Sequence, residues 1–233
     1  MKTCSRHHVA WLACAGLLLT ACDGPEVDFG HPFPTAAPDL TAFPARHQGR
    51  YVAPDDSTRQ LHIAEKAMWT AQFWSTQLAR HQLDSAKIPP EGRKLNIWQM
   101  ATDKRYRLRA ASADSVWLDT WSQDTLCDLG AASASRLRWW RGAYYLSQPA
   151  DDAATYWNVE RFVLDGRRLS WEALSDDTLR IAVLPPGVVR RLTAGKNPHY
   201  LLNPSTRRQE RQIANYDGLW TLHREYVKQE RRL

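Results

Sequence analysis

The chain has 233 residues, 43% of them hydrophobic and 24% charged, which is enough for one domain with a substantial core and short for two. Its 31 basic residues, 24 of them arginine, exceed the 25 acidic ones and give a formal net charge of +6. So small an excess is weak support for an anionic partner, and we expect no nucleic-acid partner.

The N-terminal residues have the composition of a targeting segment. Lys2 and Arg6, with two histidines, form a basic start, and residues 9–19 form an apolar run of 11. A helix that spans a bilayer needs about 20 apolar residues. The run therefore predicts a cleaved signal peptide over residues 1–21, not a permanent transmembrane helix.

Residues 19–22 read Leu-Thr-Ala-Cys and resemble the lipobox of bacterial lipoprotein precursors. The resemblance implies cleavage between Ala21 and Cys22, a diacylglycerol on the Cys22 sulfur and usually a third fatty acyl chain, such as palmitate, on its amine. The alternative is an ordinary secretory signal whose cysteine falls at the cut. The lipobox implies a protein anchored by lipid to a membrane of the cell envelope. Asp23 leaves inner and outer membrane open, since acidic residues here resemble both retention and surface-export signals.

The next segment is rich in proline. Residues 23–46 hold five of the 13 prolines, at positions 25, 32, 34, 38 and 44, and few residues that could build a core. Such a composition favours an extended, solvated chain of up to about 3.1 Å per residue. We therefore predict a lipidated tether over residues 22–46 and a single β-rich domain over residues 47–233.

The cysteines exclude an internal disulfide in the mature monomer. Cys4 and Cys14 leave with the signal peptide and Cys22 carries the lipid, so Cys127 remains alone. It lies in an apolar alternating run, and we expect a buried structural cysteine rather than a nucleophile or metal ligand.

From residue 51 onward the dominant hydrophobic period is two, which is typical of half-buried strands. The clearest case is residues 105–110, where Tyr, Leu and Ala alternate with three arginines. For residues 66–83 we considered a helix and prefer a strand over 66–74. The other predicted strands are residues 61–63, 95–100, 115–121, 137–141, 144–146, 155–164, 169–174, 179–183 and 219–227.

Turn residues separate these strands, and Asp165-Gly166 is the strongest hairpin signal. Asn203-Pro204 predicts the N-cap and first residue of one short helix that runs to about Asn215. Closely spaced strands without helical crossovers indicate an antiparallel meander. The predicted fold is mostly β, with the meander curled into a barrel or a sandwich.

No catalytic motif stands out, and we identify no catalytic residue. The sequence has no G-x-S-x-G elbow, no H-E-x-x-H helix and no phosphate-binding glycine loop. The histidines beyond residue 21 include no pair at metal-ligand spacing, so we predict neither a metal site nor a cofactor. A non-enzymatic role follows more readily than an enzymatic one.

The aromatic content offers a candidate surface for a ligand or partner. Ten of the 11 tryptophans lie beyond residue 21. Trp117 and Trp121 share one strand face, whereas Trp139 and Trp140 must point to opposite faces of theirs. The cations of the 105–110 strand suggest an anion-binding stripe, with a plain solvated face as the alternative. The candidate residues are Trp117, Trp121, Trp139, Trp140, Arg105, Arg107 and Arg109.

Three functions are compatible with these features. The first is a lipid-anchored binding or assembly module of the envelope, whose partner is an envelope protein or a small apolar or glycan ligand. The second is a lipocalin-like carrier, which requires an interior cavity. The third is an envelope hydrolase, which requires a cleft with perturbed titratable groups. We favour the first.

Overall fold

The computed structural model describes residues 25–85, 95–96, 103–130, 134–195 and 197–229. Its strands form one sheet of 14. They are β1 Glu26–Phe29, β2 Gly49–Val52, β3 Arg59–Ile63, β4 Ala67–Ala79, β5 Leu95–Asn96, β6 Asp103–Ala110, β7 Ser115–Asp128, β8 Arg136–Trp140, β9 Ala143–Pro149, β10 Trp157–Asp165, β11 Arg168–Leu174, β12 Val189–Arg191, β13 His199–Leu202 and β14 Trp220–Lys228. The helices are α1 Arg80–Ser85, α2 Thr178–Ala182 and α3 Arg207–Asn215, with single 3-10 turns at Ala45–His47 and Asp217–Leu219.

The strand order is β12-β13-β1-β10-β11-β14-β2-β3-β4-β7-β6-β5, and the β8–β9 hairpin joins β10 on its other side. All pairs are antiparallel except β1 with β13, so the sheet is mixed rather than a pure meander. Between the described strands at the two ends of this order, β12 and β5, there is no pairing. The mostly β prediction is confirmed, and the sheet is curled rather than closed into a barrel.

Two buried clusters explain the curl. The inner core joins β2, β3, β4 and β7 to β8–β11 and β14, so the two halves of the sheet face each other. The helix-side core lies on the opposite face of β9 and β10 and is covered by β1, α2 and α3. Successive side chains of β9 contribute to both cores. Tyr144 and Leu146 lie in the inner core, whereas Ala143 and Tyr145 lie in the helix-side core.

The prediction of a solvated tether is wrong for residues 25–46, which belong to the domain. Phe29, Phe33 and Phe43 are only 1%, 1% and 2% exposed. The backbone N–H of Thr35 donates to Oε1 of Glu210 at 2.6 Å. Arg138 Nη1 donates to the carbonyls of Pro32 and Pro34 at 2.6 and 2.8 Å. Prolines lack N–H donors but keep acceptors, and the aromatic residues between them supply the apolar area. Residues 1–21 and Cys22 lie outside the described residues.

The strand predicted over 179–183 is also wrong, because α2 occupies this segment. The Asp177 side chain accepts a hydrogen bond from the Leu179 N–H at 2.9 Å and caps the helix. Of the alternating apolar residues, only Ile181 is buried, whereas Leu179 and Val183 are 78% and 67% exposed. The Asp177 cap therefore favours a helix, because a strand in this segment would bury only Ile181 of the alternating apolar residues.

Three other predicted elements are present in the structure, but their first or last residues differ from the prediction. The strand preferred over 66–74 continues to Ala79 as β4 before α1 begins. The predicted 95–100 strand is described only at Leu95–Asn96, and residues 97–100 lie outside the described ranges. The basic helix starts at Arg207 rather than after Asn203, because Thr206 forms a capping box with Gln209. No described helix has the length and apolarity needed to cross a membrane.

Candidate binding surface

Strands β6 and β7 bring five of the predicted surface residues onto one face. In the antiparallel register Arg109 lies opposite Trp117, and Arg105 lies opposite Trp121. Arg107 lies between the two other arginines in β6, so it has the same orientation along the pleat. We call this face of β4, β6 and β7 the aromatic–arginine face; β4 contributes Phe73, Ser75 and Gln77 to it.

The face lies on a part of the sheet that extends beyond the cores. β4 has 13 residues and β7 has 14, yet the buried members of the two clusters include only Met68 from β4 and Cys127 from β7. Along the rest of their length the two strands pair with each other, and β7 also pairs with β6. The aromatic side chains here therefore do not contribute to either described core.

Asp119 organises the cations of this face. Arg109 donates from Nε to Asp119 Oδ2 at 2.5 Å and from Nη2 to Oδ1 at 2.8 Å, and the Ser75 hydroxyl donates to Oδ1 at 2.6 Å. The Arg109 hydrogen bonds hold the pKa of Asp119 below its usual range. The Asp119 side chain is 6% exposed and that of Arg109 is 44% exposed. The carboxylate thus fixes Arg109 while leaving part of its guanidinium available.

The aromatic rings lie beside these charges. The ring centroids of Phe73 and Trp121 are 5.1 Å apart at 40°, and Trp121 is 38% exposed. The Arg109 guanidinium lies 6.0 Å from the Trp117 ring centroid, at the limit of a cation–π contact. The surface therefore offers ring faces for stacking next to guanidinium groups.

The net charge of the face is positive. By strand register, the three arginines of β6 share this face with Asp119 and with Asp103 at the start of β6, and Arg107 is exposed. Guanidinium groups bind carboxylates and phosphates through paired hydrogen bonds, and indole rings stack on flat or ring-shaped ligands. The arrangement can therefore bind a ligand that carries both rings and anionic groups.

Trp139 and Trp140 lie elsewhere and do not join this face. As predicted, they point to opposite sides of β8. The Trp139 ring packs on Tyr144 at 4.6 Å in the inner core, and Trp140 approaches Phe33 at 6.4 Å in the helix-side core. Both act as partly buried packing residues.

A separate cleft of about 400 Å³ opens at the end of β1, β10 and β11. Burial raises the pKa of Glu160, a titratable side chain in its wall. The wall comes from strands distant in sequence, so no local pattern predicts it. Its polar lining residues are Glu26, Gln148, Asn158, Glu160 and Asp176.

The fold also assembles an acid–histidine cluster that sequence analysis missed. Glu26, Asp28 and His199 place a carboxylate or imidazole atom each within 4.8 Å of the others. Alternation along β1 could have put the two acids on one strand face. The partner histidine lies 171 residues after Asp28, and only the β1–β13 pairing brings it near.

Comparisons with models of protein families, with curated proteins and with solved structures find no match for this chain.

Proposed function

We propose that the protein is a lipid-anchored binding module of the bacterial cell envelope, and that its aromatic–arginine face binds an acidic glycan. The supporting observation is that Trp117 and Trp121 share one face with the β6 arginines, outside both cores. A large aromatic side chain left partly exposed is typical of a binding surface.

The two residue types suit two parts of such a ligand. Sugar rings present C–H faces that pack on indole, and the uronic-acid or phosphate groups of acidic glycans accept hydrogen bonds from guanidinium. Asp119 pre-organises Arg109, so less side-chain freedom is lost when a ligand binds. A neutral glycan could use only the rings and should bind more weakly.

The anchor fits a domain held close to the bilayer. A lipid on Cys22 leaves three residues before β1 begins at Glu26. Four extended steps span about 14 Å. The anchor is therefore joined to the sheet by a short link and not by a long tether. Cys22→Ser should abolish lipid-dependent membrane partitioning of the full chain; unchanged partitioning and processing would refute the anchor.

Glycan binding is tested by isothermal titration of oligogalacturonides, with maltohexaose as the neutral comparison. Trp121→Ala and Arg107→Gln should each weaken oligogalacturonide binding about tenfold or more, which corresponds to a loss of at least about 1.4 kcal/mol. Arg208→Gln removes an exposed arginine of α3 and serves as the matched control, with less than a twofold effect. Equal affinity for the neutral oligosaccharide, or unchanged affinity in both face variants, would contradict the proposal.

A second candidate is an envelope hydrolase that uses the cleft. It is favoured by Glu160, because a carboxyl group whose pKa is raised by burial is suited to act as a general acid. Its test is hydrolysis of purified envelope polysaccharide by the wild type and by Glu160→Gln; equal or absent release of sugar from both removes this candidate. The carrier hypothesis has less support, since the large side chains of Tyr51, Tyr144, Phe162 and Tyr226 fill the inner core.

A further inference from the structure

The acid–histidine cluster is built on two directly paired strands. β1 runs parallel to β13 with Glu26 opposite His199, and Asp28 follows two residues later on the same face. His199 Nε2 lies 3.0 Å from Asp28 Oδ2, and His199 Nδ1 lies 3.9 Å from Glu26 Oε2. The backbone pairing therefore places the three residues side by side on one face of β1 and β13.

The charges in this cluster do not balance. Asp28 is 1% exposed, and its Oδ1 atom has no hydrogen-bond partner among the described residues. A buried carboxylate oxygen is costly unless it is paired, and only one imidazole faces these acids. The arrangement calls for a further positive charge at Asp28.

We propose that Glu26, Asp28 and His199 bind a divalent transition-metal ion of the Zn²⁺ class. One imidazole nitrogen and two carboxylate oxygens form a donor set that suits zinc better than calcium or magnesium, which prefer oxygen alone. Zinc bonds of about 2.0–2.2 Å in a tetrahedron place ligand atoms about 3.3 Å apart. His199 Nε2 and Asp28 Oδ2, 3.0 Å apart, lie close to that spacing. With one ligand atom taken from each of the three residues, the atoms lie within 4.8 Å of one another, and the Glu26 side chain, 65% exposed, can move closer.

The surroundings hold the imidazole in position. The backbone N–H of His199 donates to Thr193 Oγ1 at 2.8 Å, and the Tyr156 ring packs edge-on against the imidazole at 5.1 Å. The Glu26 N–H donates to the Pro198 carbonyl at 3.1 Å. Ligands supported by sheet backbone and a packed ring are pre-organised for a metal. Glu26 also lines the cleft, so a fourth coordination position is accessible to water.

The test is titration of Zn²⁺ into the full-length protein in detergent, after removal of metals with a chelator. His199→Gln and Asp28→Asn should weaken binding by at least about 100-fold, and Glu26→Gln by about tenfold. His31→Gln removes an exposed histidine outside the cluster and should change affinity less than twofold. Millimolar Ca²⁺ should not displace the bound Zn²⁺.

Two outcomes overturn the proposal. The first is no stoichiometric binding of Zn²⁺ by the wild type, which would leave the cluster as a hydrogen-bonded acid–histidine arrangement without a metal. The second is an equal loss in the His31 and His199 variants, which would indicate surface binding alone. Because the buried variants can unfold, circular dichroism accompanies each titration. The exposed Glu26→Gln variant keeps the test decisive: unchanged affinity there contradicts a three-residue site.

Discussion

Removing residues 25–46 should abolish folding, because this segment fills both cores. Phe29 and Phe33 belong to the helix-side core and Phe43 to the inner core, each at most 2% exposed. Truncating a buried phenylalanine costs about 3–5 kcal/mol, so three of them amount to roughly 9–15 kcal/mol. Whole domains are stable by about 5–15 kcal/mol. The loss is as large as the total stability.

The measurement is urea unfolding followed by tryptophan fluorescence on chains 25–233 and 47–233. The longer chain should show one cooperative transition, and the shorter chain should show none. Phe33→Ala, whose ring packs 4.7 Å from Phe29 and 5.1 Å from Tyr145, should lower the free energy of unfolding by about 3–5 kcal/mol. Phe73→Ala is the matched control outside both cores and should cost about 1 kcal/mol or less. Equal costs for the two variants, or equal urea midpoints for the two chains, would refute the reasoning.

Three further predictions concern the interior. Arg161 pairs with Glu172 and donates to the Ala214 carbonyl, so Arg161→Met should lower the free energy of unfolding by about 3–5 kcal/mol. Adding Glu172→Leu should recover part of the lost stability. A cost under about 1 kcal/mol for Arg161→Met would contradict the prediction. Burial raises the pKa of Cys127 to about 12, so a thiol reagent at pH 8 should label it only after unfolding, and rapid labelling of the native protein would show the burial to be wrong. Burial lowers the pKa of His47 below the usual 6.5, so the unfolded state takes up a proton at a higher pH than the folded state. Stability is therefore unaffected above the unfolded-state pKa of 6.5 and falls as the pH drops below it. His47→Gln should flatten this dependence between pH 7 and 5 in urea titrations, and identical slopes for variant and wild type would contradict the prediction.

Most of the strands could be predicted from the sequence, because alternating apolar residues and turn residues within a short segment determine them. The alternation at 105–110 lies within β6. Asp165 ends β10, and Gly166, at a φ of +57°, begins the two-residue turn to β11. Cys127 is buried as expected, at 2% exposure. These features depend on a strand's own side chains or on a tight turn, which a single sequence records directly.

The failures arise where long-range contacts decide. The proline content of residues 25–46 predicts a solvated tether, but Phe29 and Phe33 are buried there. Hydrogen bonds to distant partners such as Arg138 and Glu210 make the segment part of the domain. The β1–β13 pairing, which builds the acid–histidine cluster, has no local signal at all. Of the seven residues predicted to form a binding surface, Trp117, Trp121 and the three arginines share one face of β6 and β7. Trp139 and Trp140 lie on β8 and pack against the two cores.

Hydroxyl-radical footprinting of the full-length protein, with and without oligogalacturonide, tests the binding face most directly. We expect protection of Trp121 and Trp117, with Trp139 and Trp140 unchanged because they pack against the cores. Protection confined to the Glu160 cleft, or none at Trp121 under saturating ligand, would contradict the claim that the aromatic–arginine face is the binding surface.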